Sequence, residues 1–135
     1  MPVETIEPPG VFRSPLYAQV AVATGTRTVV LAGQVALDEQ ERIVGVGDLA
    51  AQLEQAMLNV GRCLEAAGAT WADVARLTMY VTGWTPDQMP QLVAGLGRAA
   101  ERLGITTRPP MSLIGVEALF HPNIRIEIEA IAVAR

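Results

Sequence analysis

The chain has 135 residues, half of them hydrophobic and only 4% aromatic, which predicts one domain over residues 1–135 with a core of aliphatic side chains. Its formal net charge of −4 disfavours nucleic acid and anionic membrane surfaces as partners. The single cysteine, Cys63, excludes an internal disulfide, and no apolar run is long enough to span a bilayer, so we expect a cytoplasmic protein.

The N-terminal half predicts an irregular arm, a β-hairpin and a long helix. Residues 1–15 contain four of the nine prolines and are predicted to be irregular. Residues 17–23 and 27–37 flank a Thr-Gly-Thr turn, which favours a hairpin, and Gly33 in its second strand indicates a bulge or a close backbone approach. A short strand is predicted at 43–44. Asp48 then begins an amphipathic helix that Gly68 ends.

The C-terminal half predicts three strands and a second helix. The strands are expected at 76–81, where Arg76 lies opposite the apolar positions, at 111–116 and at 124–134, and the helix begins at Thr85-Pro86 and ends at Gly104. This order favours an α+β sandwich in which one mixed sheet carries two helices on one face. The last strand has one wholly apolar face, whereas its other face begins charged and ends apolar. Such a mixed face suggests partial cover by another subunit.

Short motifs in a fixed order resemble a known family. They are Tyr17-Ala18-Gln19, Leu31-Ala32-Gly33-Gln34, the polar helix positions Gln52, Gln55 and Asn59, Ala66-Ala67-Gly68, and Glu127-Ile128-Glu129-Ala130. Together they resemble the RidA/YjgF family of small reactive-intermediate deaminases. The resemblance implies a chorismate-mutase-like fold, a homotrimer with ligand pockets at its subunit interfaces, and hydrolysis of enamines and imines without a metal or an organic cofactor.

The same resemblance implies a set of site residues. Glu127 corresponds to the family's pocket glutamate, which positions the attacking water, although a paired or solvated carboxylate at an interface is an equal alternative. The substrate-binding positions implied by the resemblance are Tyr17, Ala32, Gly33, Val93, Arg108, Met111, Ser112 and Leu113.

The sequence departs from the family at this pocket. An arginine in a Pro-Ala-Arg-Ser run grips the substrate carboxylate in the family, but here the run is Pro109-Pro110-Met111-Ser112. Arg108 would need a redirecting loop to replace it, and Arg125 is expected to pair with a glutamate. The pocket is therefore predicted to be apolar, with the Ser112 hydroxyl and the Glu127 carboxylate, and to prefer a neutral or cationic ligand. Activity on 2-iminobutanoate or 2-iminopropanoate is not expected.

Three functions remain open at this point. The first is an imine or enamine deaminase of altered specificity. The second is a protein that binds a small molecule, or catalyses another hydrolysis, in the same cleft. The third is an oligomer that binds a protein partner. Cys63 is predicted to lie in the core and His121 in an exposed turn, and no His or Cys cluster predicts a metal site.

Overall fold

The computed structural model describes residues 3–135. Six strands and two α-helices follow one another along the chain: β1 (Val3–Ile6), β2 (Val20–Ala23), β3 (Arg27–Val30), α1 (Leu49–Ala66), β4 (Val74–Thr82), α2 (Met89–Leu103), β5 (Met111–Val116) and β6 (Ile126–Ala134). Short 3-10 turns lead into β4 and α2. None of the helices within this range is long and apolar enough to cross a membrane.

Four of the strands form a mixed sheet in the order β3-β6-β4-β5. β4 and β5 run parallel, whereas β6 is antiparallel to both β3 and β4. A parallel pair requires a crossover connection, and α2 supplies it. The predicted α+β arrangement, a mixed sheet with two helices, is confirmed.

The core lies between the helices and one face of this sheet, which we call the inner face. The predicted apolar face of the last strand is buried, and its residues are at most 1% exposed: Ile124, Ile126, Ile128, Ala130 and Ala132. Asp48 caps α1 by accepting a hydrogen bond from the Ala51 N–H. The helices cross closely at Gly95, where an added Cβ would lie 2.9 Å from the Ala50 carbonyl oxygen. The opposite, outer face of the sheet carries the polar residues.

The predicted hairpin is wrong. β2 pairs with β1 in a separate two-stranded sheet, and β3 pairs with β6. The Thr26 N–H donates to the Ala134 carbonyl at 3.0 Å, so the chain is already bound to β6 when it enters β3. The N-terminal arm, which was predicted to be irregular, contains the strand β1. The first two residues of the arm lie outside the described range. The expected strand at 43–44 is only a single bridge between Leu37 and Ile43.

A buried amide on α1 joins the helix to the sheet. The Gln52 side chain is fully buried, and its Nε2 donates to the carbonyls of Gly45 at 3.2 Å and Asn123 at 2.7 Å. Its Oε1 accepts the Arg125 N–H at 2.8 Å. Three backbone groups from two separate loops are satisfied by one side chain, which fixes where β6 begins.

Replacing this amide with an apolar side chain of similar shape is expected to destabilise the fold. In Gln52→Met three partly buried backbone groups lose their partners, which predicts a loss of about 2–4 kcal/mol in the free energy of unfolding. Urea denaturation followed by circular dichroism measures it. Glu65→Gln, on the exposed side of the same helix, is the control and should change stability by less than about 0.5 kcal/mol. A Gln52→Met protein as stable as this control would contradict the role assigned to the amide.

Candidate functional site

The residues predicted to line one pocket form two groups on the folded chain. The β5-edge group surrounds the edge strand β5 and consists of Tyr17, Val93, Arg108, Met111, Ser112 and Leu113. The β3-edge group lies where residues 31–34 cross β6 and consists of Ala32, Gly33 and Glu127. In the observed register Glu127 pairs with Tyr80, which in turn pairs with Ile114, two residues beyond Ser112. Standard strand spacing and rise then place the Cα atoms of Glu127 and Ser112 about 12 Å apart. The two groups thus lie at opposite edges of the four-stranded sheet.

Two adjoining cavities open beside the β5-edge group, with volumes of about 270 and 90 Å³. Three residues line both cavities: Leu16, Leu96 and Met111. The smaller cavity also contains three predicted site residues, Tyr17, Ser112 and Leu113. The larger one extends along α2 from Val93 to Arg108. The predicted apolar character of this half of the pocket agrees with its lining.

Arg108 binds the N-terminal segment next to the start of β5. Its Nη1 donates to the carbonyls of Ser14 and Pro15, both at 3.1 Å, and its own carbonyl accepts the Ala18 N–H at 3.1 Å. Because these contacts lie on both sides of Tyr17, Arg108 holds the segment that carries this residue beside β5. Arg108 thus lines the larger cavity, and one nitrogen of its guanidinium, Nη1, binds the backbone.

A cation that the sequence analysis did not assign to the site lies next to Ser112. The Arg76 Nη2 donates to the Ser112 Oγ at 2.7 Å. Met111 and Leu113 turn towards the smaller cavity, so strand alternation places Ser112 on the outer face, where Arg76 projects from β4. The expectation that positions 111 and 112 carry no charge is correct, yet the neighbouring strand supplies one. The sequence placed Arg76 opposite the apolar positions of its strand; only the parallel register of β4 and β5 brings it to Ser112.

Tyr80 and Glu129 form a second polar contact on the outer face. Interaction of the Tyr80 hydroxyl with the Glu129 carboxylate raises the pKa of the phenol, and desolvation and the charge of Glu127 add to the effect. The Arg76 charge opposes this shift. The outer face thus groups one guanidinium, two carboxylates, a phenol and a hydroxyl.

Glu127 lies over Gly33. An added Cβ at Gly33 would collide with the Glu127 carboxylate, so the close approach predicted at this glycine is confirmed. β3 ends at Val30, and the Leu31 N–H still donates to the Ala130 carbonyl at 3.2 Å; pairing then resumes at Gln34, which exchanges two hydrogen bonds of 2.8 Å with Ile128. The intervening backbone bends away and makes room for the glutamate. Glu127 enters neither of the two ion pairs formed within residues 3–135.

Three further predictions have mixed outcomes. Arg125 does not pair with a glutamate of its own chain; its guanidinium donates to the Thr82 carbonyl at 2.8 and 3.0 Å and to the Gln88 side chain at 2.9 Å. Cys63 packs partly buried against the core. His121 is half-buried in its turn, and its Nδ1 accepts the Asn123 N–H at 3.0 Å.

The fold is an α+β sandwich with a parallel β4–β5 crossover, and a glutamate lies over a glycine on its outer sheet face. The family model described as Endoribonuclease L-PSP matches residues 13–134. The chain therefore belongs to this family, that of the RidA/YjgF proteins.

Individual relatives cover nearly the same length. Protein DfrA of Myxococcus xanthus is 30% identical over 121 residues, covering 87% of this chain and 85% of that protein. A 2-iminobutanoate/2-iminopropanoate deaminase of Dermatophagoides farinae is 28% identical over 117 residues, with 87% and 84% covered. Among solved structures, the Rid family protein YyfB of Yersinia pestis, described as of unknown function, superposes with a TM-score of 0.88 at 36% identity, covering 98% of this chain and 99% of that one. The YjgF gene product of E. coli superposes with a TM-score of 0.68 at 26% sequence identity, with the same coverage of both chains.

The Tyr80 contact predicts a measurable alkaline effect. Because the folded pKa of Tyr80 lies above its ordinary value of about 10, its contribution to stability is complete below that pH and is lost as the pH rises through the folded pKa. Glu129→Gln should lower this pKa. Ultraviolet absorbance of tyrosinate measures it in a Tyr17→Phe background, since the chain has two tyrosines. An unchanged titration curve in Glu129→Gln would contradict the assignment.

Proposed function

We propose that the protein is a homotrimer and that it hydrolyses a small imine or enamine in a cleft between the β5-edge group of one copy and the β3-edge group of the next. The observation that supports this most directly is the Glu127 carboxylate, which lies against Gly33 on the outer face and outside the ion pairs of its own chain. The separation of the two groups within one chain favours a cleft that a second copy completes. Exposed apolar residues on the outer face favour such cover: Val30, Ile114 and Ile131.

The chemistry needs only water and a base. Glu127 accepts a proton from water as the water oxygen bonds to the imine carbon, and it passes that proton to the nitrogen. Glu127 then takes the hydroxyl proton of the tetrahedral adduct and delivers it to the same nitrogen as the carbon–nitrogen bond breaks, which releases a carbonyl compound and ammonia or an amine. The carboxylate returns to its ionised state, so no cofactor is consumed.

Ser112 orients the ligand. Its Oγ accepts a hydrogen bond from Arg76, which leaves the hydroxyl hydrogen for an acceptor atom of the ligand. Met111 occupies the position of the family arginine and offers a carboxylate no bidentate partner. A neutral ligand with a hydrogen-bond acceptor therefore suits this half of the cleft better than a free 2-imino acid.

The same departures favour an alternative in which the cleft binds a small molecule without hydrolysing it. Met111 replaces the residue that would hold the substrate carboxylate, so the cleft retains a ligand-binding shape without the family's main anchor. The description of the family model as an endoribonuclease has no support from the charge of the chain, which is −4.

The assembly is tested first. Light scattering and sedimentation velocity are expected to give three times the chain mass for the wild type. Arg76→Ala should not abolish the trimer, because its observed hydrogen bond lies within one chain. A stable monomer would contradict both the trimer and the shared cleft, and a dimer would remove the cleft alone.

Catalysis is tested on imines generated enzymatically from a panel of amines and amino acids, with carbonyl release followed spectroscopically. Glu127→Gln should lower kcat/KM by roughly a hundredfold or more, because it removes the base. Glu129→Gln, two residues along the same face, is the matched control and should stay within a few-fold of wild type. 2-Iminopropanoate should be hydrolysed at the background rate. Equal rates for Glu127→Gln and wild type on every accelerated imine would reject Glu127 as the base; no acceleration of any imine would favour the binding alternative.

A further inference from the structure

The larger cavity beside the β5-edge group lies between α2 and the segment 105–109. Met57 and Leu77, both buried core residues, form its floor, while Gly97 and Thr106 are exposed at its rim. The cavity is open to solvent at this rim, and its volume of about 270 Å³ is close to the lower end of small-ligand pockets, about 300 Å³.

Two polar side chains at the cavity wall bind backbone groups of the chain. The Thr107 Oγ1 donates to the Trp71 carbonyl at 3.3 Å. The Arg108 Nη1 donates to two backbone carbonyls of the N-terminal segment. Most of the other lining side chains are hydrophobic, and a charged group placed among them would lose its hydration without gaining partners. The apolar part of the wall thus suits an uncharged, apolar group.

Small residues on α2 keep the cavity open. The four residues of α2 that line it recur at spacings of three and four, so they share one helix face: Val93, Leu96, Gly97 and Ala100. A Cβ added at Gly97 would meet no atom within 4 Å. Glycine inside an exposed helix turn weakens the helix, so stability alone would favour a larger residue here.

We propose that this cavity is an accessory subsite that receives an uncharged aliphatic or aromatic arm of the ligand. This cavity and the smaller one share Leu16, Leu96 and Met111, whereas the Ser112 hydroxyl lies on the other side of the edge strand β5. A ligand whose polar end binds that hydroxyl would therefore pass its arm around the edge of β5 into the cavity. The inference rests on the proposed cleft for the location and the neutral chemistry of that polar end. The cavity belongs to a single chain, and its lining adds a bulky apolar substituent to the ligand class.

Primary aliphatic amides from propanamide to octanamide probe this class, because each pairs a neutral acceptor with an apolar chain of known length. Calorimetry on the full chain should show the dissociation constant falling about fourfold for each added methylene until the cavity is filled. Trp71 lines the cavity, so its fluorescence should change when the longer amides bind to a Trp84→Phe protein.

Filling the cavity should remove this chain-length dependence. Gly97→Leu is expected to weaken octanamide binding at least tenfold and to leave propanamide binding within twofold. Gly97→Ala is the matched control: it should raise the melting temperature through helix propensity and keep the chain-length dependence. Ala100→Leu provides a second filling variant if Gly97→Leu folds poorly.

If the wild type does not bind the amides, or binds them with an affinity that does not depend on chain length, the subsite is overturned. The same follows if both filling variants bind octanamide as tightly as the wild type does. Tighter binding of carboxylates than of amides of equal length would overturn the neutral ligand class. Chain-length dependence together with no imine hydrolysis would keep the subsite and reject the deaminase. Hydrolysis without chain-length dependence would keep the deaminase and reject the subsite.

Discussion

The buried amide of Gln52 is the interaction on which the rest of the arrangement depends. It satisfies backbone groups of the loop before α1 and of the segment that leads into β6, and no water reaches it. β6 is the strand that pairs with both β3 and β4. Because the amide fixes the start of β6 against α1, it also fixes which residues of β6 face the helices and which face outward. A one-residue slip would exchange the two faces.

Because of this constraint, the residues of β6 that stabilise the core and its polar outer residues lie on opposite faces of one strand. The inner residues of β6 are isoleucine and alanine and are fully buried, whereas the outer residues Glu127 and Glu129 are half-buried on the opposite face. Gly33 also contributes on the outer face. The backbone bends after β3, and because Gly33 has no side chain, the Glu127 carboxylate fits into the space at this bend. The glutamate can therefore be altered without opening the core.

The sequence predicted the elements whose signals are local. Both helices, with Asp48 as a cap and Gly104 as an end, follow from side-chain periodicity, and so does the buried face of β6. It failed where partners are distant in the chain. The proximity of residues 17–23 and 27–37 suggested a hairpin, but pairing of β3 with the C-terminal strand took precedence. The Arg76–Ser112 contact likewise depends on a parallel register that no local pattern encodes.

The substitution of Met111 for an arginine changes what this half of the cleft can recognise. A guanidinium at the sheet edge would bind an anion through directional hydrogen bonds; a methionine there offers only surface and flexibility. The positive charge that is present, on Arg76, lies on the outer face and reaches the site through the Ser112 hydroxyl, so it polarises a donor instead of meeting a ligand anion. Recognition then depends on shape and apolar area, and the cavities beside Met111 provide both. In the proposed cleft, hydrolysis would depend on Glu127 and the choice of ligand on the apolar lining beside Met111, so the two properties would reside in different residues.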